Sequence, residues 1–171
     1  AVRRTGMLIS WDLTSASRSQ CLIEESIGRA AFVADRRVVV TSTSGAIYRW
    51  GFTGDDAPRR LLGHATQVRT LAASPDGRCF ATVDIGGAVR FWDGDEPADG
   101  RAQLYHRDAG ITRLAIDRKT DRLVIGHFNG DVVLASLTGP GSGRSVARVK
   151  QAAAGVASHP GGDIAVCGGG G

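Results

Sequence analysis

Lysine is nearly absent from this chain. Only Lys119 and Lys150 stand among its 21 basic residues, so arginine carries the positive charge. With abundant Ala and Gly, that bias reads as a GC-rich coding sequence. Seventeen acidic residues leave a net charge of only +4. The arginine pairs Arg3-Arg4, Arg36-Arg37 and Arg59-Arg60 are interleaved with Asp35, Asp55 and Asp56, and no aromatic stripe accompanies them. They read as solvated loops, and nucleic acid is not the expected partner. Cysteine is scarce too. Cys21, Cys79 and Cys167 form no C-x-x-C pair, which argues against a disulfide framework and against a zinc site. No apolar run approaches the roughly 18 residues of a membrane helix, and the start Ala-Val-Arg-Arg-Thr-Gly has no signal-peptide core. A cytoplasmic protein with reduced thiols and no membrane partner is expected. Catalytic motifs are missing as well: there is no G-x-x-x-x-G-K-[ST], no G-x-S-x-G and no H-E-x-x-H. His64, His106, His127 and His159 are scattered without metal spacing. The acidic loop from Asp93 to Gly100 has Pro97 inside it and Leu104 where a calcium loop needs a bidentate Glu. Residues 139–143 read as a flexible connection, and the glycines at 168–171 have no Lys after them. Neither a cofactor nor a metal is expected.

What the chain has is a period. Trp11-Asp12, Trp50-Gly51, Trp92-Asp93 and Ala135-Ser136 recur at separations of 39, 42 and 43 residues. Between them the same grammar returns. A first strand alternates as Ile27-x-x-Ala30-x-Phe32, Val68-x-x-Leu71-x-Ala73 and Ile111-x-x-Leu114-x-Ile116. A turn follows at Ala34-Asp35-Arg36, Pro75-Asp76-Gly77, Lys119-Thr120-Asp121 and Pro160-Gly161-Gly162. An apolar second strand comes next: Val38-Val39-Val40, Phe80-Ala81-Thr82-Val83 and Leu123-Val124-Ile125. Then Ser44-Gly45, Gly86-Gly87 and Asn129-Gly130 turn the chain into a third strand, Gly supplying the positive φ. No helical period is sustained.

The best copy runs Leu61-Leu62-Gly63-His64, Val68-x-x-Leu71, Ser74-Pro75-Asp76-Gly77, Phe80-Ala81-Thr82 and Val89-Arg90-Phe91-Trp92-Asp93. It resembles one WD40 repeat, a single blade of a β-propeller. The resemblance implies an all-β fold, a WD40-like propeller fragment of successive four-stranded antiparallel blades. Residues 1–13 would end a first blade, 20–52, 61–95 and 103–138 would be whole repeats, and 145–171 a truncated one. That array of about four to five repeats is smaller than the usual ring. It is therefore expected to be part of a longer propeller, with closure by self-association as the alternative. The family pattern also implies a hydrogen-bonded set tying the strands. His64, Thr82 and Trp92 take three of its places, while the Asp place falls on Gly86 and Asp84 sits two residues early. Asp93, Trp11, Asp12 and Trp50 are expected as further structural blade residues. In the next copy His106 stands one place before the expected His position, Arg107.

The resemblance implies a non-catalytic scaffold that binds protein or peptide. Contacts would come from the positions flanking the first strand and just before the second turn: Thr43, Gln67, Arg69, Ile85, Gly110, Thr112 and Phe128. The alternative is a sensor or regulatory propeller of a larger bacterial effector, attached to an ATPase, kinase or protease domain. A propeller enzyme using the central channel is disfavoured, because histidines and carboxylates do not recur at one repeat position.

Overall fold

The computed structural model describes residues 5–33, 36–51, 57–61, 63–93, 110–117, 119–137, 143–159 and 162–169, and the backbone alone of 101–106. Arg3-Arg4, Ala34-Asp35, Asp55-Asp56, the loop 94–100, Arg107, the connection 138–142, Pro160-Gly161 and the last two glycines lie outside the described residues. The described residues form sixteen strands and no helix. β1 (Gly6–Asp12) pairs with β2 (Ser17–Ile23). β3 (Ile27–Val33), β4 (Arg37–Ser42), β5 (Ile47–Gly51) and β6 (Arg59–Leu61) make the first four-stranded sheet. β7 (Val68–Ala73), β8 (Cys79–Asp84), β9 (Ala88–Asp93) and β10 (Arg101–His106) make the second. β11 (Ile111–Asp117), β12 (Arg122–His127), β13 (Asp131–Ser136) and β14 (Arg144–Arg148) make the third. β15 (Ala152–Ser158) and β16 (Ile164–Gly169) pair at the far end. All pairings are antiparallel between sequence neighbours, as short turns dictate.

The sheets stack face to face and do not close on themselves. The first strands touch along the array, β3 on β7, β7 on β11 and β11 on β15, so they form the hub. Each sheet then fans outward to its fourth strand. In the three four-stranded sheets the second strands are buried on both faces, which explains their apolar runs. Val38 and Val40 pack with Ile23, Trp50, Leu8 and Cys21 on one side of β4. Val39 packs on the other side with Ile47, Leu61, Val68, Phe80 and Trp92. A third cluster joins Ala81, Val83, Val89 and Phe91 to Ile111, Leu123, Ile125 and Val133.

Turn chemistry follows the sequence. Gly45, Gly87 and Gly130 hold φ of 95°, 86° and 87°, the conformation that hairpin turns demand. At the opposite end, Arg36, Gly77, Asp121 and Gly162 all have φ between 54° and 96°. Two of these four equivalent places thus put a Cβ in the left-handed region, which only glycine enters without strain.

Trp11 departs from expectation. Trp50 and Trp92 are each 3% exposed, but Trp11 is 60% exposed. It shares an open sheet face with Met7 and Leu22, which are also exposed, and no described sheet covers that face. Asp12 instead does local work: its carboxylate accepts the Thr14 and Ser15 amides and pairs with Arg36 at 3.1 Å. The two backbone hydrogen bonds come first among the causes that lower its pKa to about 2.

Candidate functional site

A bulge recurs at the start of every hub strand. Register shifts fall between Ile27 and Arg29, Val68 and Thr70, Ile111 and Arg113, and Ala153 and Gly155. The extra residues are Gly28, Arg69, Thr112 and Ala154. Bulges bend a strand and re-aim its side chains. Beside each of the first three bulges a backbone hydrogen bond closes the rim. The Thr43 amide donates to Ser26 C=O at 2.9 Å, Ile85 to Gln67 at 3.0 Å, and Phe128 to Gly110 at 2.6 Å. Five of the seven expected contact residues are therefore members of locked backbone pairs. Thr43, Gln67 and Arg69 are exposed, Ile85 is 46% exposed and Phe128 72% exposed. Gly110 is half-buried and serves through its carbonyl. Thr112 is half-buried, and its hydroxyl lies 2.6 Å from Ala153 C=O, across to the next sheet. Thr112 is thus a link between sheets, not a free contact residue.

Arg29 and Arg69 make equivalent links between sheets, whereas Arg113 bonds its own chain neighbour. Arg29 Nε donates to Arg69 C=O at 3.5 Å, and Arg69 Nη1 donates to Ile111 C=O at 3.3 Å. Arg113 donates to Thr112 C=O at 2.8 Å. Arg29 and Arg113 were not among the expected contact residues, because the bulge shifts their register by one.

Beneath the rim lies a buried polar relay. Trp92 Nε1 donates to Thr82 Oγ1 at 3.0 Å, and Thr82 Oγ1 lies 2.7 Å from His64 Nε2. His64 Nδ1 faces Asp84 Oδ2 at 3.4 Å, longer than an ordinary hydrogen bond, and among the described residues has no hydrogen-bond partner of its own. Asp84 Oδ1 accepts the Ala88 amide at 2.9 Å, which caps the Gly86-Gly87 turn. The Asp place belongs to Asp84 and not to Gly86. It is the last residue of β8, so its side chain lies on the same face as Thr82, two positions along. The set is consistent with one tautomer, Nδ1–H toward Asp84 and Nε2 accepting from the Thr82 hydroxyl. Burial pushes the His64 pKa below its usual value, against the upward pull of Asp84. Phe80 stacks on Trp92 with centroids 5.5 Å apart. Asp93, expected as a structural residue, sits half-buried opposite Cys79 on the neighbouring strand.

Gly63 belongs with His64 for a steric reason. A Cβ at 63 would lie 2.1 Å from Gly45 O, while the His64 amide donates to that same oxygen at 2.9 Å. The Gly-His pair therefore clamps the turn of one sheet as it enters the next. Among the described residues no group of three or more His, Cys, Asp or Glu gathers to hold a metal, and no helix is long and apolar enough to cross a membrane.

Residues 57–93 match the family model of the WD domain, G-beta repeat. The whole arc is similar to a chain in a structure titled "Crystal Structure of Mitotic Checkpoint Complex", with a TM-score of 0.77 at 17% identity over 94% of this chain and 52% of that one. Residues 57–93 form a WD40 repeat, and the arc around them has the fold of a WD40 propeller. Over 45 residues the chain is 51% identical to an uncharacterized WD repeat-containing protein of Nostoc sp., covering 26% of this chain. Over 86 residues, half of this chain, it is 30% identical to Telomerase protein component 1 of Rattus norvegicus. Over 106 residues, 60% of this chain, it is 26% identical to the 66 kDa stress protein of Physarum polycephalum. It spans 3% of the length of the first two relatives and 18% of the third. WD40 propellers generally mediate protein–protein interaction and are generally non-catalytic.

Proposed function

We propose that this WD40 arc is a non-catalytic docking scaffold that binds a protein or peptide on its loop rim. The observation that carries the reading is the row of locked backbone pairs. They hold Ile85 and Phe128 out into solvent beside Arg69, on a rim built from hub strands. Large exposed apolar side chains and Arg on a rigid support suit an interface anchor, since little entropy is lost when they are covered. The names of two similar proteins, a telomerase component and a mitotic checkpoint complex, belong to assemblies and point the same way. The alternative, a regulatory propeller joined to an ATPase, kinase or protease domain, gains no support from the geometry. A cytoplasmic location is part of the same proposal; fractionation of cells expressing the tagged protein would test it.

Affinity capture with the wild type and the variant Arg69→Glu/Phe128→Ala tests the docking reading. Phe128 is exposed and Arg69 makes one link to Ile111 C=O, so the variant should lose no more than about 1–2 kcal/mol and melt as a folded protein. Proteins captured by the wild type should be lost from the variant. Equal capture by the two would remove the rim from the account.

A further inference from the structure

We propose that Arg29, Arg69 and Arg113 form a strip that docks an acidic peptide segment of a partner protein. The proposal rests on the reading of the rim as a docking face and adds the chemistry of what docks there. The three residues are exposed and sit at the bulged ends of successive hub strands. Each guanidinium donates to a main-chain carbonyl of the hub: Arg69, Ile111 and Thr112 respectively. Those carbonyls hold the guanidinium groups in place without neutralising them. A guanidinium has five N–H donors, so each keeps a fork for an incoming carboxylate. Among the described residues no carboxylate is paired with any of the three.

Among the described residues, three carboxylates in the turns and connections have partners of their own. Glu25 accepts from Ser44 and from Tyr48. Asp84 faces His64 and caps its own turn. Asp131 pairs with Arg148 and with Asn129. Among the described residues the strip is therefore a row of unneutralised positive charge, with Ile85 and Phe128 exposed alongside. An extended segment with carboxylates and one apolar side chain matches both features. Single-stranded nucleic acid fits less well, because stacking platforms need successive aromatic rings and Phe128 is the one large aromatic exposed on this rim among the described residues.

The test is fluorescence anisotropy on the full chain with a fluorescein-labelled peptide of Asp and Glu around a single Phe. Saturable binding that weakens with added salt is expected. Arg29→Gln/Arg69→Gln/Arg113→Gln should weaken it about tenfold, in line with three exposed charge pairs. Arg29→Lys/Arg69→Lys/Arg113→Lys, which keeps the charge, should stay within about threefold, and circular dichroism melts check that both variants fold. Unchanged affinity in the Gln variant overturns the proposal. So does tighter binding of an oligothymidine probe that depends on the same arginines. The two readings fail separately. If the peptide does not bind while Arg69→Glu/Phe128→Ala still loses its captured proteins, the acidic specificity is wrong and the docking rim stands. If capture is unchanged in that variant, both fall.

Discussion

Two neighbouring sheet boundaries close the same backbone geometry with opposite chemistry. Register makes Val40 the counterpart of Thr82, Ser42 of Asp84 and Trp50 of Trp92, and the connection makes Ile23 the counterpart of His64. Into β8 the chain builds the relay Trp92–Thr82–His64–Asp84. Into β4 it builds a cluster of Ile23, Val38, Val40 and Trp50. Polar contacts at that second boundary move outward: Ser42 bonds Ser44, and Glu25 takes Ser44 and Tyr48. There burial would raise the Glu25 pKa, but the Ser42, Ser44 and Tyr48 hydrogen bonds and nearby Arg60 outweigh it, and the carboxyl ends below its usual value. The fold thus needs a filled boundary and not a particular network. A buried network loses stability at each unsatisfied member, as at His64 Nδ1, whereas an apolar set needs only volume.

The largest expected effect comes from the residue common to both solutions. Trp92→Ala removes a fully packed indole and its stack on Phe80, and should cost about 3–5 kcal/mol in urea unfolding. A loss below that range would mean the boundary collapses around the cavity. Next is Thr82→Val, which leaves the Trp92 N–H and His64 Nε2 without their shared partner. It should cost about 1–3 kcal/mol. The combined change His64→Ile/Thr82→Val/Asp84→Ser transplants the apolar solution, and should cost less than Thr82→Val alone. If it costs more than the single change, the two boundaries are not interchangeable and the comparison breaks.

The pH dependence is smaller and sharpens the same contrast. His64 is held neutral in the fold, with its pKa lowered from 6.5. As pH falls below about 6.5 the unfolded chain takes up this proton first, so stability declines until the folded pKa is also passed. Asp12 acts in a separate window. Its lowered pKa gives stability that is present above the unfolded value, about 3.9, and is lost as pH falls toward about 2. Replacing His64 with Gln should flatten the upper slope and leave the lower one. An unchanged upper slope would assign it to another group.

Period, strand order and turn glycines were legible because they are local: Gly45, Gly87 and Gly130 announce their φ through residue type. The relay was legible at His64, Thr82 and Trp92 and missed at Asp84. A strand-end position and a turn position differ by two residues in sequence yet face the same histidine. Trp11 read as packed because it repeats the position of Trp50 and Trp92, but burial depends on a neighbouring sheet and not on the residue. Arg29 and Arg113 were missed because a one-residue bulge displaces them from the positions that simple repeat alignment selects. The role of Thr112 as a link to Ala153 needed three dimensions, since its acceptor lies 41 residues away.

Hydroxyl-radical footprinting of the chain with a captured partner, read by mass spectrometry, tests the docking rim most directly. Protection of Ile85, Phe128 and the hub around Arg69, with Met7, Trp11 and Leu22 still labelled, is the predicted result. Protection confined to Met7, Trp11 and Leu22, with Phe128 fully labelled, would place the partner on the open sheet face and contradict the account.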